Sequence, residues 1–90
     1  MSHTIHEKKK LLNRVRRVSG QIEAIERALN DERGCATVLH LIAAARGAIN
    51  GLMSEVIEDH VRMHVIDPAK SAERKRGGEE LIEAVQSYLR

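Results

Sequence analysis

The chain has 90 residues, of which 31% are charged, and one tyrosine is its only large aromatic residue. So short a chain forms one domain, and without phenylalanine or tryptophan it cannot build a thick core. Its apolar residues are mainly alanine, leucine, isoleucine and valine, which together with a single proline favour long helices over sheet. We therefore predict one all-α domain, residues 1–90, that completes its core by self-association.

The distribution of charge indicates a polyanionic partner. The cysteine content indicates a reducing compartment. The net charge is only +2, but the segment KKKLLNRVRR, residues 8–17, holds six basic residues and no acid. Such a local basic stripe is typical of proteins that bind a polyanion. The single cysteine cannot form a disulfide within the chain, and we see no signal peptide and no apolar run of membrane-spanning length. We therefore expect a cytoplasmic protein that does not contact a membrane.

Apolar residues at alternating spacings of four and three predict two long helices. A capping box of Thr4 and Glu7 would begin the first helix, and the segment NDERG, residues 30–34, would end it. The second helix should run from near Cys35 to about Ile66. A polar stretch, AKSAERKRGG, is then expected to precede a short third helix. The apolar positions of the three helices are Leu11, Val15, Val18, Ile22, Ile25 and Leu29; Val38, Ile42, Ala45, Ile49, Leu52 and Val56; and Leu81, Ile82, Val85 and Leu89.

The short connection predicts that the first two helices are antiparallel neighbours. Facing residues should then have numbers that add up to about 65, because both helices rise equally from the turn. This places Ser2 and His3 opposite the His60–His64 end. It also places Arg17 near Ala48.

His60 and His64 are four residues apart, so they share one face of the second helix at a spacing that suits a metal ion. The only cysteine, Cys35, lies about 37 Å away along a straight helix. The segment AAARGAING, residues 43–51, allows close approach of another backbone. It serves either the chain's own first helix or a two-fold antiparallel crossing with a second copy, centred near Ala48. The second arrangement brings Cys35 of one chain beside His60 and His64 of the other.

These features resemble the CsoR/RcnR family of small all-helical bacterial repressors over essentially the full length of the chain. The resemblance rests on RVRRVSGQIEAIERAL, IAAARGAINGLMSEV and the position of Cys35. The segment MSHTI, with His60 and His64, is most similar to nickel- and cobalt-responsive members of the RcnR and DmeR type. The resemblance implies an antiparallel helical dimer that forms a four-helix bundle and pairs into a homotetramer. It also implies a repressor, not an enzyme, that binds operator DNA of a metal-efflux gene and releases it when metal binds.

On this resemblance, Cys35 of one chain would bind metal with donors from the other chain: His60, His64, His3 and the Ser2 amine. One sulfur and several nitrogens suit Ni(II) and Co(II), whereas a tetrahedron of Cys35, His60, His64 and one further donor would satisfy Zn(II). His6 is an alternative to His3, and His40 is interpreted as a surface histidine. Copper-sensing members use two cysteines, which this chain lacks.

Formaldehyde-sensing members provide the alternative function. They share Cys35 and often His60, but they carry proline at position 2 and an acid at position 64. This chain has Ser2 and His64, which favours metal. The Ser2 amine, once Met1 is removed, could still react with an aldehyde together with Cys35.

We expect the basic residues of the first helix to bind DNA phosphates. Lys10, Arg14 and Arg17 share one face, Arg16 flanks them, and Arg46 can join them from the second helix. Two other readings stay open: a metal-storage protein without a DNA role, and a structural helical module in which Cys35 and the histidines are incidental.

Overall fold

Three helices form the chain in this computed structural model, which describes residues 5–88 and the side chains of residues 7–88. Helix α1 spans Ile5–Asn30, α2 spans Cys35–Val61 and continues as a π-helical turn over Arg62–Ile66, and α3 spans Ser71–Tyr88. No strand occurs between residues 5 and 88. The all-α, three-helix prediction is confirmed, including the break after Asn30 and the start of α2 at Cys35. Thr4, the predicted cap of the first helix, lies outside the described residues.

The described chain divides into two compact units, residues 5–53 and residues 54–88. In the first unit, a Schellman turn ends α1. The Arg33 amide donates to the Ala28 carbonyl at 3.0 Å, and the Glu32 amide donates to the Leu29 carbonyl at 3.2 Å. Glu32 adopts the left-handed conformation with φ 52°, a position usually taken by glycine. Gly34, with φ 95°, follows and accepts the first helical hydrogen bond of α2 from the Val38 amide.

The core of the hairpin is thin. Ala28 and Ala45 are the only buried apolar side chains among residues 7–88. The predicted seams divide into rows that repeat every seven residues. One row on each helix is half-buried or buried: Leu11, Val18 and Ile25 on α1, and Val38, Ala45 and Leu52 on α2. The other row stays exposed: Val15, Ile22 and Leu29 on α1, and Ile42, Ile49 and Val56 on α2.

The facing register predicted for α1 and α2 agrees with one direct contact in the first unit. A Cβ atom built on Gly51 would lie 3.1 Å from a terminal guanidinium nitrogen of Arg14. The numbers of these two residues satisfy the predicted rule. Arg14 therefore lies against the backbone of α2 at Gly51.

In the second unit, the third helix is present as predicted, but it is longer than expected and takes in most of the polar stretch AKSAERKRGG. Helix α3 already begins at Ser71 and includes both Gly77 and Gly78. The Lys70 carbonyl accepts the first helical hydrogen bonds, and Arg74 donates to the carbonyls of Pro68 at 2.8 Å and Ala69 at 2.9 Å. Contacts of α3 with the π-helical turn outweigh the low helix propensity of the two glycines.

The expectation about membrane-spanning length is wrong. By length and composition alone, the continuous helix Cys35–Ile66 is long and apolar enough to cross a membrane. Its middle, AAARGAING, contributes small apolar residues and a single charge. Helices that pack closely on other helices have the same composition.

Candidate functional site

His60 and His64 lie side by side at the end of α2, as their spacing predicts. Their ring centroids are 4.8 Å apart and the ring planes are inclined by 39°. His60 is the next-to-last residue of the α-helical part. His64 lies within the π-helical turn, which the Asp67 amide closes by donating to the Arg62 carbonyl at 2.8 Å. Such turns are frequent at functional sites because they alter the direction of one side chain.

The imidazole of His60 is oriented by α3. Its Nε2 lies 2.9 Å from the Gly77 carbonyl oxygen, and because a carbonyl only accepts, Nε2–H donates. In the neutral ring the lone pair is then on Nδ1. Histidine ligands of metals commonly donate their second ring N–H to a carbonyl in this way.

The separation of these two rings and their nitrogen donors are compatible with bonds to one metal ion. An ion about 2.1 Å from one nitrogen of each ring, with a right angle between the two bonds, would put the ring centroids about 4.5 Å apart. The observed separation of 4.8 Å is close to that value. Two imidazoles are too few for a complete site, and no group of three His, Cys, Asp or Glu side chains able to hold a metal occurs in the described part of the chain. Further donors must come from elsewhere.

Next to this pair, Arg62 and Glu58 form an exposed ion pair at 3.0 Å across one helical turn. The hydrogen bond and the charge of Glu58 raise the pKa of Arg62 above its usual value. Arg62 is therefore engaged with a carboxylate on its own helix.

Cys35 is a free, exposed cysteine at the first position of α2. It borders an open cleft whose other walls are mostly apolar: Ala28, Leu29, Gly34, Val38 and Leu39, with Glu32 and Arg33 at the edge. His60 is the next-to-last residue of the same helix, so one chain does not offer both to one ion.

The predicted N-terminal donors cannot be placed. Ser2 and His3 lie outside the described residues, as does the side chain of His6. His40 is exposed, in agreement with its interpretation as a surface histidine.

The basic residues of α1 form the predicted surface in the first unit. Lys10, Arg14 and Arg17, together with Asn13, line one open groove. Arg16 flanks it and donates to the Asn13 side-chain oxygen at 3.2 Å. Arg46 is exposed on α2.

The two glycines of AAARGAING differ in what they contact. A Cβ on Gly47 would meet nothing within 4 Å, whereas Gly51 makes room for Arg14. Of these two glycines, Gly51 alone is required by a contact among the described residues.

Sequence reasoning missed Gly77, whose carbonyl accepts from His60. It marked the segment that contains Gly51 as a place of close approach, but it did not predict that Arg14 lies against Gly51. The sequence held a usable signal, because a glycine inside a helix lowers helix stability and therefore often marks a close contact.

Several known proteins similar to this chain are transcription regulators. A family model described as metal-sensitive transcriptional repressor matches residues 7–87. The chain is 50% identical to an uncharacterised protein of the bioA 5′ region of Serratia marcescens over 91 residues, and 40% identical to the transcriptional repressor RcnR of Salmonella typhimurium over 90 residues. Both alignments cover all of both chains.

Two solved structures share the fold. One is the formaldehyde-responsive regulator FrmR of Salmonella enterica serovar Typhimurium, in a variant with one glutamate replaced by histidine. It has a TM-score of 0.87 and 41% identity, over 96% of this chain and 98% of that one. The other is the nickel-responsive transcriptional regulator InrS, with a TM-score of 0.79 and 28% identity, over 97% and 98% of the two chains. The chain therefore belongs to the CsoR/RcnR family of metal-sensitive transcriptional repressors, whose members are regulators and not enzymes.

Proposed function

We propose that this protein is a cytoplasmic repressor that responds to Ni(II) or Co(II). The whole chain, residues 1–90, acts as one domain that binds the operator of a metal-efflux gene when metal-free and releases it when metal binds. The observation that carries the proposal is the paired imidazoles of His60 and His64, 4.8 Å apart, in a chain of the metal-sensitive repressor family. RcnR-type relatives with full-length alignment support the choice of metals.

The working unit is a homodimer that pairs into a homotetramer. The exposed row of α2, Ile42, Ile49 and Val56, supports a two-fold crossing because it is symmetric about Ile49. In an antiparallel dimer, Ile49 meets its own copy and Ile42 meets the partner's Val56. The open space around Gly47 also favours contact with a second chain over contact with α1.

This crossing supplies the donors that one chain lacks. It brings the partner's Cys35 to the end of α2 that carries His60 and His64. The metal would be held by that thiolate, His60, His64, His3 and the amine of Ser2, with His6 as the alternative to His3. One sulfur with four nitrogens matches the preference of Ni(II) and Co(II) for N/S sites with five or six donors, and Zn(II) would need fewer of them.

Operator binding is assigned to the groove lined by Lys10, Arg14 and Arg17, with Arg16 and Arg46 beside it. These cations would contact phosphates, which supply affinity without reading sequence. Because Ser2 and His3 come shortly before the helix that carries these cations, ligation at the N-terminus would shift the phosphate-binding groups. A coupling of about 1–3 kcal/mol is typical of such linkage. No membrane takes part.

A formaldehyde-responsive repressor is the second candidate. It is favoured by the structural similarity to FrmR and by the exposure of Cys35, whose thiolate could attack an aldehyde together with the Ser2 amine. His64 argues for metal, because an imidazole is a nitrogen donor for the ions in question.

The deciding experiment adds Ni(II), Co(II), Zn(II), Cu(I) and formaldehyde separately to a protein–operator complex. We expect release with Ni(II) and Co(II) at the lowest concentrations. If formaldehyde but none of the metals released the operator, the proposed inducers Ni(II) and Co(II) would be wrong. If the metal-free protein did not bind the operator, the repressor function would be refuted.

A mixing experiment tests whether the site spans two chains. Cys35→Ala and His64→Ala chains should each bind Co(II) weakly alone, whereas mixed dimers should regain one intact site. His40→Ala is the matched control, because this exposed histidine lies on the same helix. Co(II) binding of wild-type affinity by a monomer would contradict the proposal that the metal site is shared between two chains.

A further inference from the structure

We propose that Gly77 is a positioning residue of the metal site, which fixes the ring of His60 through its carbonyl and admits α3 against His64 through its missing side chain. The inference rests on the proposed metal response. It adds a residue of α3 that is neither a ligand nor in contact with DNA.

The carbonyl of Gly77 selects the tautomer of His60. Nε2 and the carbonyl oxygen are 2.9 Å apart in a half-buried contact between residues 17 positions apart in sequence. The contact keeps the proton on Nε2 and leaves Nδ1 as the nitrogen with a free lone pair. A histidine in water would distribute its proton between both nitrogens, so the contact prepares one nitrogen for a ligand role before any ion arrives.

The missing side chain of Gly77 is what allows this contact. Gly77 is the one buried residue of α3, and a Cβ built on it would lie 2.6 Å from the His64 carbonyl carbon and 2.8 Å from the His64 Cβ. The His64 carbonyl oxygen would be closer still. These are backbone atoms and a Cβ, which cannot rotate away, so any side chain at position 77 must push α3 off the π-helical turn.

The neighbouring Gly78 provides a matched comparison. A Cβ on Gly78 would meet nothing within 4 Å, although both glycines lie in the same helix and lower its stability equally relative to alanine. Replacement of Gly78 thus alters helix propensity alone, and replacement of Gly77 alters the position of α3 as well. Nothing in the structure explains why position 78 is glycine.

The contact also joins α3 to both histidines. The Gly77 carbonyl holds the ring of His60, and its α-carbon touches the backbone that carries His64. Loss of such an outer contact lowers metal affinity about 10–100-fold in other sites. We expect a loss in that range when Gly77 is replaced.

The test compares Gly77→Ala with Gly78→Ala in the full-length protein. Long-range ¹H–¹⁵N correlation spectra of the metal-free protein report the tautomer of each histidine. We expect the Nε2–H form of His60 in wild type and in Gly78→Ala, and a mixture of tautomers in Gly77→Ala. Titration with Co(II) should show affinity within about twofold of wild type for Gly78→Ala and about 10–100-fold weaker for Gly77→Ala.

A His60→Ala background separates positioning from general damage. There, Gly77→Ala should cause a smaller further loss of Co(II) affinity than it causes in wild type, because the His60 ring is gone and only the contact with His64 is still disturbed. Equal tautomers and equal Co(II) affinity in Gly77→Ala and Gly78→Ala would overturn the inference, as would the Nδ1–H form in wild type. The wild-type spectrum can still overturn the inference if Gly77→Ala does not fold. It is also independent of the proposed function, whose failure would appear as operator binding that no metal affects.

Discussion

Removal of two arginines from the groove of α1 should make operator binding both weaker and less sensitive to salt. The groove is lined by three cations in each chain, Lys10, Arg14 and Arg17. Two chains would then make about six phosphate contacts, which gives a slope of log affinity against log salt of about −5.4. Between about 50 and 200 mM salt, the wild-type affinity should fall about 2,000-fold. The Arg14→Ala/Arg17→Ala variant keeps about two contacts per dimer and should lose only about 12-fold over the same range.

Fluorescence anisotropy with labelled operator and with random DNA, at several salt concentrations, measures these slopes. The charge-matched control is Arg27→Ala/Arg33→Ala, which removes two exposed arginines from the opposite end of the hairpin. We expect the control to keep a slope near that of wild type. If both double variants lose the same slope, the effect reflects net charge alone and the phosphate-binding assignment of the groove is wrong.

The contact of Arg14 with Gly51 refines this prediction. A terminal guanidinium nitrogen of Arg14 lies 3.1 Å from the place a Cβ on Gly51 would take. Gly51→Leu should therefore displace the guanidinium and reduce the slope by about two contacts per dimer, as Arg14→Ala does. In an Arg14→Ala background, Gly51→Leu should change nothing further. A large additional loss there would show that the leucine disturbs the fold and not the arginine.

Three further predictions concern assembly, stability and inducer choice. Ile49→Ala should raise the dissociation constant of the dimer about 100-fold in sedimentation equilibrium, because it removes about 1.5 kcal/mol of apolar burial per chain. An unchanged dissociation constant would contradict the proposed two-fold crossing. Asn50→Ala, at an exposed position, is the control. Glu32→Gly should raise the free energy of unfolding in urea by about 0.5 kcal/mol. Glycine removes the steric cost of the left-handed conformation at position 32, and this gain exceeds the loss from the added entropy of the unfolded chain. A free energy of unfolding below that of wild type would argue against the Schellman turn. His64→Glu should raise the Co(II) and Ni(II) concentrations needed for operator release and favour the formaldehyde response. Cys35→Ala should abolish both responses. If His64→Glu released the operator at the same metal concentrations as wild type, His64 would not be a ligand.

The sequence predicted those features that depend on spacing along one helix. The seven-residue rows, the end of α1 at Asn30, the start of α2 at Cys35 and the shared face of His60 and His64 all follow from helical periodicity. The grouping of basic residues in one groove follows from the same rule.

Features that depend on contact between elements were not predictable in this way. The extension of α3 to Ser71 depends on Arg74 bonding two loop carbonyls, and on Gly77 fitting against His64. Helix-propensity scales predict a helix break at Gly77 and Gly78, because these scales do not include contacts with another segment such as the π-helical turn. The tautomer of His60 is likewise set by a carbonyl 17 residues away. The ligand set that joins two chains stays a prediction.

The thin core of the hairpin has a consequence for the supply of this repressor in a cell. Two alanines are the buried apolar side chains of residues 7–88, while an isoleucine, leucine or valine protrudes at nearly every second turn. On the proposed dimer, a newly synthesised chain would finish burying its apolar surface only when it meets another copy, and proteases and chaperones would act on it until then. Because that encounter depends on the square of the chain concentration, the amount of assembled protein rises more steeply than the rate of synthesis. A small change in expression is thereby amplified before any inducer is present.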